Sequence, residues 1–165
     1  MTPRTLRSTS ESETAELGRR LASLLSPDDV VALTGDLGAG KTVLVKGVAA
    51  GLGVFEPVVS PTFNILLVHP GRVTLYHFDL YRFESEAQLE DVDFFETLEA
   101  GGVALIEWGE RFPGALPPDH LGVTLCITGD SERELTLSSG GPRSDEIARA
   151  WLAAAPASAA GGRSE

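Results

Sequence analysis

Residues 30–42 read Val30-Val31-Ala32-Leu33-Thr34-Gly35-Asp36-Leu37-Gly38-Ala39-Gly40-Lys41-Thr42, and this stretch decides the fold. Its first five residues are largely apolar and β-branched, as a buried strand requires. The next eight follow G-x-x-x-x-G-K-T, the phosphate-binding P-loop pattern. Thr42-Val43-Leu44-Val45-Lys46-Gly47-Val48-Ala49-Ala50 can run on as a helix, which gives the strand–loop–helix context the pattern needs. Gly35, Gly38 and Gly40 let the backbone turn tightly and aim several N–H groups at one place. The positive end of the helix adds to that field. Lys41 can reach β- and γ-phosphates, and the Thr42 hydroxyl can bind Mg²⁺. In a Gly-rich turn that binds nothing, a Lys-Thr pair at this place has no purpose. Asp36, Leu37, Gly38, Ala39, Gly40, Lys41 and Thr42 are therefore the expected nucleotide-binding residues.

The bulk composition narrows the class. A chain of 165 residues with 42% apolar residues suits one domain with a real core. The expected unit is a single P-loop domain over 1–155. Residues 156–165, rich in Ala, Gly and Ser, are expected to be a disordered tail. No apolar run is long enough for a membrane-spanning helix, and the polar start lacks an apolar signal core. The single cysteine, Cys126, excludes an internal disulfide and fits a reducing cytoplasm. It reads as a core residue. Thirteen basic and 24 acidic residues give a net charge of −11, which argues against tight direct binding to nucleic acid. His69, His77, His120 and Cys126 are too scattered for a structural zinc site.

Outward from the P-loop, other elements follow from pattern. Ser10-x-x-Glu13 is a candidate capping box. Leu17, Leu21, Leu24 and Leu25 make one helix face behind it, read first as a packing face. Gly51 and Gly53 end the P-loop helix. Pro61 biases Ser60 toward extended backbone. Thr62 then stands where many P-loop proteins place a phosphate-sensing loop, with a plain Ser-Pro turn as the alternative. Residues 64–69 and 73–79 predict a hairpin about Pro70-Gly71-Arg72. His77 and Asp79 share a face of its second strand, and a polar cluster ending an apolar strand points to a site. Residues 84–99 carry seven acids among Leu89, Val92, Phe95 and Leu98. They predict one or two short amphipathic helices with an acidic face, either solvated or a docking surface for a basic partner. Val103-Ala104-Leu105-Ile106 predicts a buried strand with Glu107 and Trp108 at its carboxyl end, a Walker-B-like arrangement. Residues 121–128 and 133–137 predict a second hairpin. Residues 144–155 predict a last helix, with Trp151 and Leu152 turned inward.

Taken together, GDLGAGKT (35–42), SPTF (60–63), HFDLYR (77–82) and IEWGER (106–111) resemble the TsaE family, formerly called YjeE. Its members are small bacterial P-loop ATPases needed for the threonylcarbamoyladenosine modification of tRNA. The resemblance covers about residues 10–140, leaving the N-terminal dozen residues and the tail after about 155 outside it, and Gly109 stands where many members carry proline. It implies an α/β fold, a P-loop NTPase three-layer sandwich whose largely parallel central sheet carries antiparallel edge hairpins. It also implies ATP and Mg²⁺ as ligands, with Lys41, Thr62, Asp79 and Glu107 as catalytic residues and Thr42 and Glu107 as metal contacts. The base is expected between the start of the first helix and Arg133. The implied partners are TsaB and TsaD, with TsaD performing the transfer and the ATPase resetting the complex.

Two other readings compete. A small-molecule kinase of the P-loop class would use the same loop, but such kinases carry an Arg-rich lid, and no stretch after Glu107 resembles one. A nucleotide-dependent binding module without useful hydrolysis is the third. No clear arginine finger is visible, Arg82 being the best internal candidate, so slow turnover alone and faster turnover with partners is expected.

Overall fold

The computed structural model describes residues 4–36, 38–54, 66–156 and 159. Among them, seven strands form one sheet: β1 Arg4–Ser8, β2 Val30–Gly35, β3 Leu66–His69, β4 Leu75–Asp79, β5 Val103–Glu107, β6 Leu121–Ile127 and β7 Arg133–Ser139. Their spatial order is β1-β7-β6-β2-β5-β4-β3. The inner four, β6-β2-β5-β4, pair in parallel. β3 joins β4 antiparallel at one edge, and β7 and β1 continue antiparallel at the other. The expected parallel core with antiparallel edges is present.

β2 is buried on both faces, which is why it reads as an unbroken apolar run. Val31 and Leu33 share a core with Leu75, Val103 and Leu105. Helices α1 Glu11–Ala22, α2 Lys41–Gly51 and α5 Pro142–Ala154 cover that face. Val30 belongs to a second core with Phe78, Ala104 and Ile106, closed by the short helices α3 Ala87–Glu90 and α4 Phe94–Leu98. Helices on both faces of the sheet make three layers.

The two helices nearest the P-loop touch backbone to backbone. A Cβ on Gly47 would lie 2.1 Å from the Ala15 carbonyl oxygen, and one on Gly18 would lie 2.5 Å from that of Leu44. Glycine at both places lets α1 lie directly on α2 and steadies the loop that α2 follows. Ser10 caps α1 by accepting the Glu13 amide at 3.1 Å. The Glu13 carboxylate returns to the Thr9 amide and hydroxyl, so the capping box is displaced by one residue. The helix stops at Ala22, leaving Leu24 and Leu25 beyond it, with Leu25 still in the core.

Several sequence expectations need correction. β1 was not expected. Its inward side offers only Leu6 and Ser8, both buried, too few for an alternation signal, and its place comes from pairing with β7. Cys126 is exposed, not core. Leu121, Val123 and Leu125 take the inward positions of β6, which turns Cys126 outward. In α4 it is Phe94 that is buried, edge-on to Phe78 at 4.9 Å, while Phe95 reaches the surface. The last helix begins earlier than expected, at Pro142, because Asp119 accepts the Arg143 and Ser144 amides at 2.9 and 2.8 Å and caps that turn. Trp151 is fully buried and donates to the Leu17 carbonyl at 2.9 Å, tying α5 to α1. Beyond α5, the Arg7 amide donates to the Ala159 carbonyl at 2.7 Å. No helix among the described residues is long and apolar enough to cross a membrane.

Candidate functional site

The loop after β2 holds Gly38 at φ 82° and Gly40 at φ 102°, left-handed values that residues with a Cβ adopt at a cost. Gly40 is the N-cap of α2 and offers no side chain to the helix start. The first N–H groups of α2 therefore point out of its amino end with no side-chain cap, an arrangement suited to an external anion. Lys41 is the first residue of α2 and Thr42 the second. Lys41 Nζ donates to the Gly35 carbonyl at 2.7 Å and lies 4.6 Å above the Trp108 ring, within cation–π range. Asp36, Gly38, Ala39 and Gly40 line the same turn. Leu37 and Thr62 lie outside the described residues.

Arg133, at the start of β7, flanks the loop. Its Nη2 donates to the Gly38 carbonyl at 3.3 Å, while Nη1 donates to the Gly129 and Glu132 carbonyls at 3.1 and 2.8 Å. Arg82, just past β4, is exposed.

The acids come from the carboxyl ends of the neighbouring strands. Asp79 ends β4, Glu107 ends β5, and the two are paired in the parallel register. Glu107 also pairs with Leu33, two residues before the end of β2. The sheet thus places both carboxyl groups beside the P-loop, at the edge where ligands of open α/β sheets collect. Glu107 is only 4% exposed. Its Oε2 lies 2.7 Å from His77 Nε2, and His77 is completely buried. Asp79 is half-buried, and its Oδ1 accepts the Tyr81 amide at 2.9 Å. Burial pushes the Asp79 carboxyl above the usual carboxylate range and the Glu107 charge adds to this, while the Tyr81 amide, His77 and Lys41 pull it back. Two carboxyl groups in a poorly hydrated corner beside one lysine make a strongly polar spot in an otherwise apolar strand layer.

Trp108 follows Glu107 at φ 64°, a left-handed backbone that a bulky residue keeps only where its surroundings hold it. The turn sets its ring under Lys41 and 5.0 Å from that of Tyr81. Arg111 fixes the other side, with Nη1 donating to the Tyr81 carbonyl at 2.6 Å and the guanidinium carbon 5.6 Å from the Tyr81 ring. Lys41, Trp108, Tyr81 and Arg111 form one continuous stack along the rim. The structure therefore brings Lys41, Asp79, Glu107 and Arg133 around one loop. The His77–Glu107 contact was not foreseen, because it depends on the β4–β5 register and leaves no signal in either strand alone.

The family model described as Threonylcarbamoyl adenosine biosynthesis protein TsaE matches residues 8–135. The chain belongs to the TsaE family. A TsaE protein of Treponema pallidum (strain Nichols), named for tRNA threonylcarbamoyladenosine biosynthesis, is 44% identical over 131 residues, covering 79% of this chain and 97% of its own length. A TsaE protein of Bacillus subtilis (strain 168), named for the same pathway, is 41% identical over 138 residues, covering 83% of this chain and 86% of its own. Among solved structures, Bacillus subtilis YdiB superposes with a TM-score of 0.77 at 32% identity, over 92% of this chain and 96% of its own. The TsaE match takes in the P-loop, Asp79, Glu107 and the first residues of β7. It ends before α5.

Proposed function

We propose that this TsaE-family chain binds and hydrolyses ATP within bacterial tRNA threonylcarbamoyladenosine biosynthesis, its cycle driving or resetting a TsaB–TsaD transferase complex. The observation that carries the reading is the meeting of Lys41 at an uncapped helix start with two register-paired carboxyl groups, Asp79 and Glu107. The pathway assignment rests on the names of the relatives and the family. Neither favours the small-molecule kinase alternative. Residues 1–155 act as one P-loop unit in this reading, and the cytoplasm, where tRNA is modified, is its proposed location.

Each residue then has a role. The backbone amides around Gly38–Thr42 cradle the phosphates. Lys41 exchanges the Gly35 carbonyl for β- and γ-phosphate oxygens and offsets the charge that develops on transfer. Thr42 and Glu107 would hold Mg²⁺, which would supply neutralisation of phosphate charge there. Asp79, with its raised pKa, would orient a water beside Glu107. Thr62 is assigned the γ-phosphate contact on the family resemblance. Arg133 holds Gly38 and borders the space for the base. Arg111 is committed to Tyr81, which leaves Arg82 as the internal finger candidate, and a slow basal rate with a stabilising group supplied by a partner belongs to this reading.

The test is phosphate release from ATP by the purified chain, alone and with TsaB and TsaD, with a pull-down run in parallel. Slow release that rises when the partners are added is expected. Equal rates in both conditions would remove the partner-activation idea. Phosphate transferred to a metabolite instead of water would revive the kinase reading.

A further inference from the structure

We propose that His77 is a positioning residue for the Glu107 carboxylate in this hydrolysis, an inference that rests on the ATPase reading above. The His77 ring is fully buried beneath the acid pair, and Nε2 meets Glu107 Oε2 at 2.7 Å. Its other nitrogen, Nδ1, has no hydrogen-bond partner among the described residues. A histidine kept for packing is expected to have both ring nitrogens satisfied, since a buried polar atom without a partner costs stability. Leu75 and Leu105 take neighbouring places in the same core, and an apolar side chain would suit the site better. The one thing His77 supplies that a leucine cannot is the contact to Glu107.

That contact has a definite consequence. Glu107 is the last residue of β5, and the chain turns sharply at Trp108. A carboxylate with one oxygen held by a fixed ring has its second oxygen's direction set as well. Without the ring, the side chain can rotate about its terminal torsions, and hydrolysis loses the alignment it needs. His77 and Asp79 lie two residues apart on one strand face, so a single strand carries both the hold on Glu107 and the second acid. Partners of this kind, which orient a metal- or water-binding carboxylate, typically change activity by about 10–100-fold when removed.

The experiment compares the full chain with His77→Leu and His77→Gln. Leucine removes the polar contact at similar volume. The Gln amide returns a donor near the position of Nε2. Phosphate release from ATP, affinity for Mg²⁺-free ADP and thermal midpoint are measured for each. His77→Leu is expected to lose about tenfold or more of the maximal release rate, with ADP affinity retained and a somewhat lower midpoint because the buried Glu107 oxygen loses its partner, and His77→Gln is expected to recover most of the rate. The inference is overturned if His77→Leu turns over like the parent chain. It is also overturned if both variants are equally slow, or if ADP affinity falls along with the rate. A parent chain that releases no phosphate, with or without partners, would overturn the ATPase reading and this role with it. Normal parent release beside an active His77→Leu removes His77 alone.

Discussion

Replacing Glu107 by glutamine separates binding from chemistry. Glu107 is buried, and its Oε2 meets His77 Nε2. Glutamine has nearly the same volume and keeps a carbonyl oxygen for that contact, so the packing of β5 survives. The change also removes one of two neighbouring negative charges, since the Glu107 charge helps raise the pKa of Asp79. Nothing in the exchange disturbs the P-loop amides or Lys41, and nucleotide binding should persist. What is lost is a full negative charge beside the proposed metal and attacking-water position. Loss of one such group typically slows turnover by about 10²-fold, equivalent to about 2.7 kcal/mol of transition-state stabilisation. Phosphate release at saturating ATP measures the rate, and titration with a fluorescent ADP analogue measures binding. Wild-type release by Glu107→Gln would refute the role given to the carboxylate. Loss of ADP binding to the same extent as rate would show that Glu107 serves the fold of the loop and not the reaction.

Three further outcomes follow from the geometry. Asp79→Asn keeps an oxygen for the Tyr81 amide but removes a carboxylate whose pKa is raised first by burial. A raised folded pKa means that Asp79 favours folding at low pH and loses that contribution as pH rises through its titration. Asp79→Asn should therefore melt higher than the parent at neutral pH, with the gap closing on acidification, while phosphate release falls. Thermal melts across pH check the first part. In Asp119→Ala the opposite sign holds. Its hydrogen bonds from Ser144 chiefly hold the Asp119 carboxyl below the usual range, so its stabilisation is present above the unfolded carboxyl pKa and lost as pH falls through the lower folded value. The variant should melt lower than the parent at pH 7, and the difference should shrink in acid. Gly47→Ala sets helix propensity, worth up to about 1 kcal/mol in favour of alanine, against a methyl placed 2.1 Å from the Ala15 carbonyl. The clash outweighs the propensity, and overpacking typically costs about 1–3 kcal/mol. At about 2–4 °C per kcal/mol for a domain of this size, a lower melting temperature is expected, and an unchanged or higher one would contradict the close α1–α2 contact.

The parts of the molecule governed by local rules were readable in the chain. β2, the P-loop and α2 carry their own apolar run, glycines and Lys-Thr pair. The hairpins β3–β4 and β6–β7 announce themselves by alternation and turn residues. Glu107 stood out because an acid directly after Val103–Ile106 is a polar group ending a buried strand. Features that depend on who lies next to whom were not readable. β1 has little apolar content and exists because β7 offers an edge. Cys126 looks like a core residue until the uncovered face of β6 is seen. Phe94 and Phe95 are indistinguishable by composition, and only the contact with Phe78 decides which is inside. The His77–Glu107 contact and the Lys41–Trp108 stack need strand register and the turn at Trp108 together.

Lys41 and the uncapped start of α2 are proposed to form a nucleotide phosphate site. Calorimetric titration of the purified chain and of Lys41→Ala with ATP and Mg²⁺ decides whether they do. Saturable binding is expected of the parent chain, and clearly weaker binding, with no phosphate release, of Lys41→Ala. Equal affinity and equal release for the two proteins would contradict this assignment.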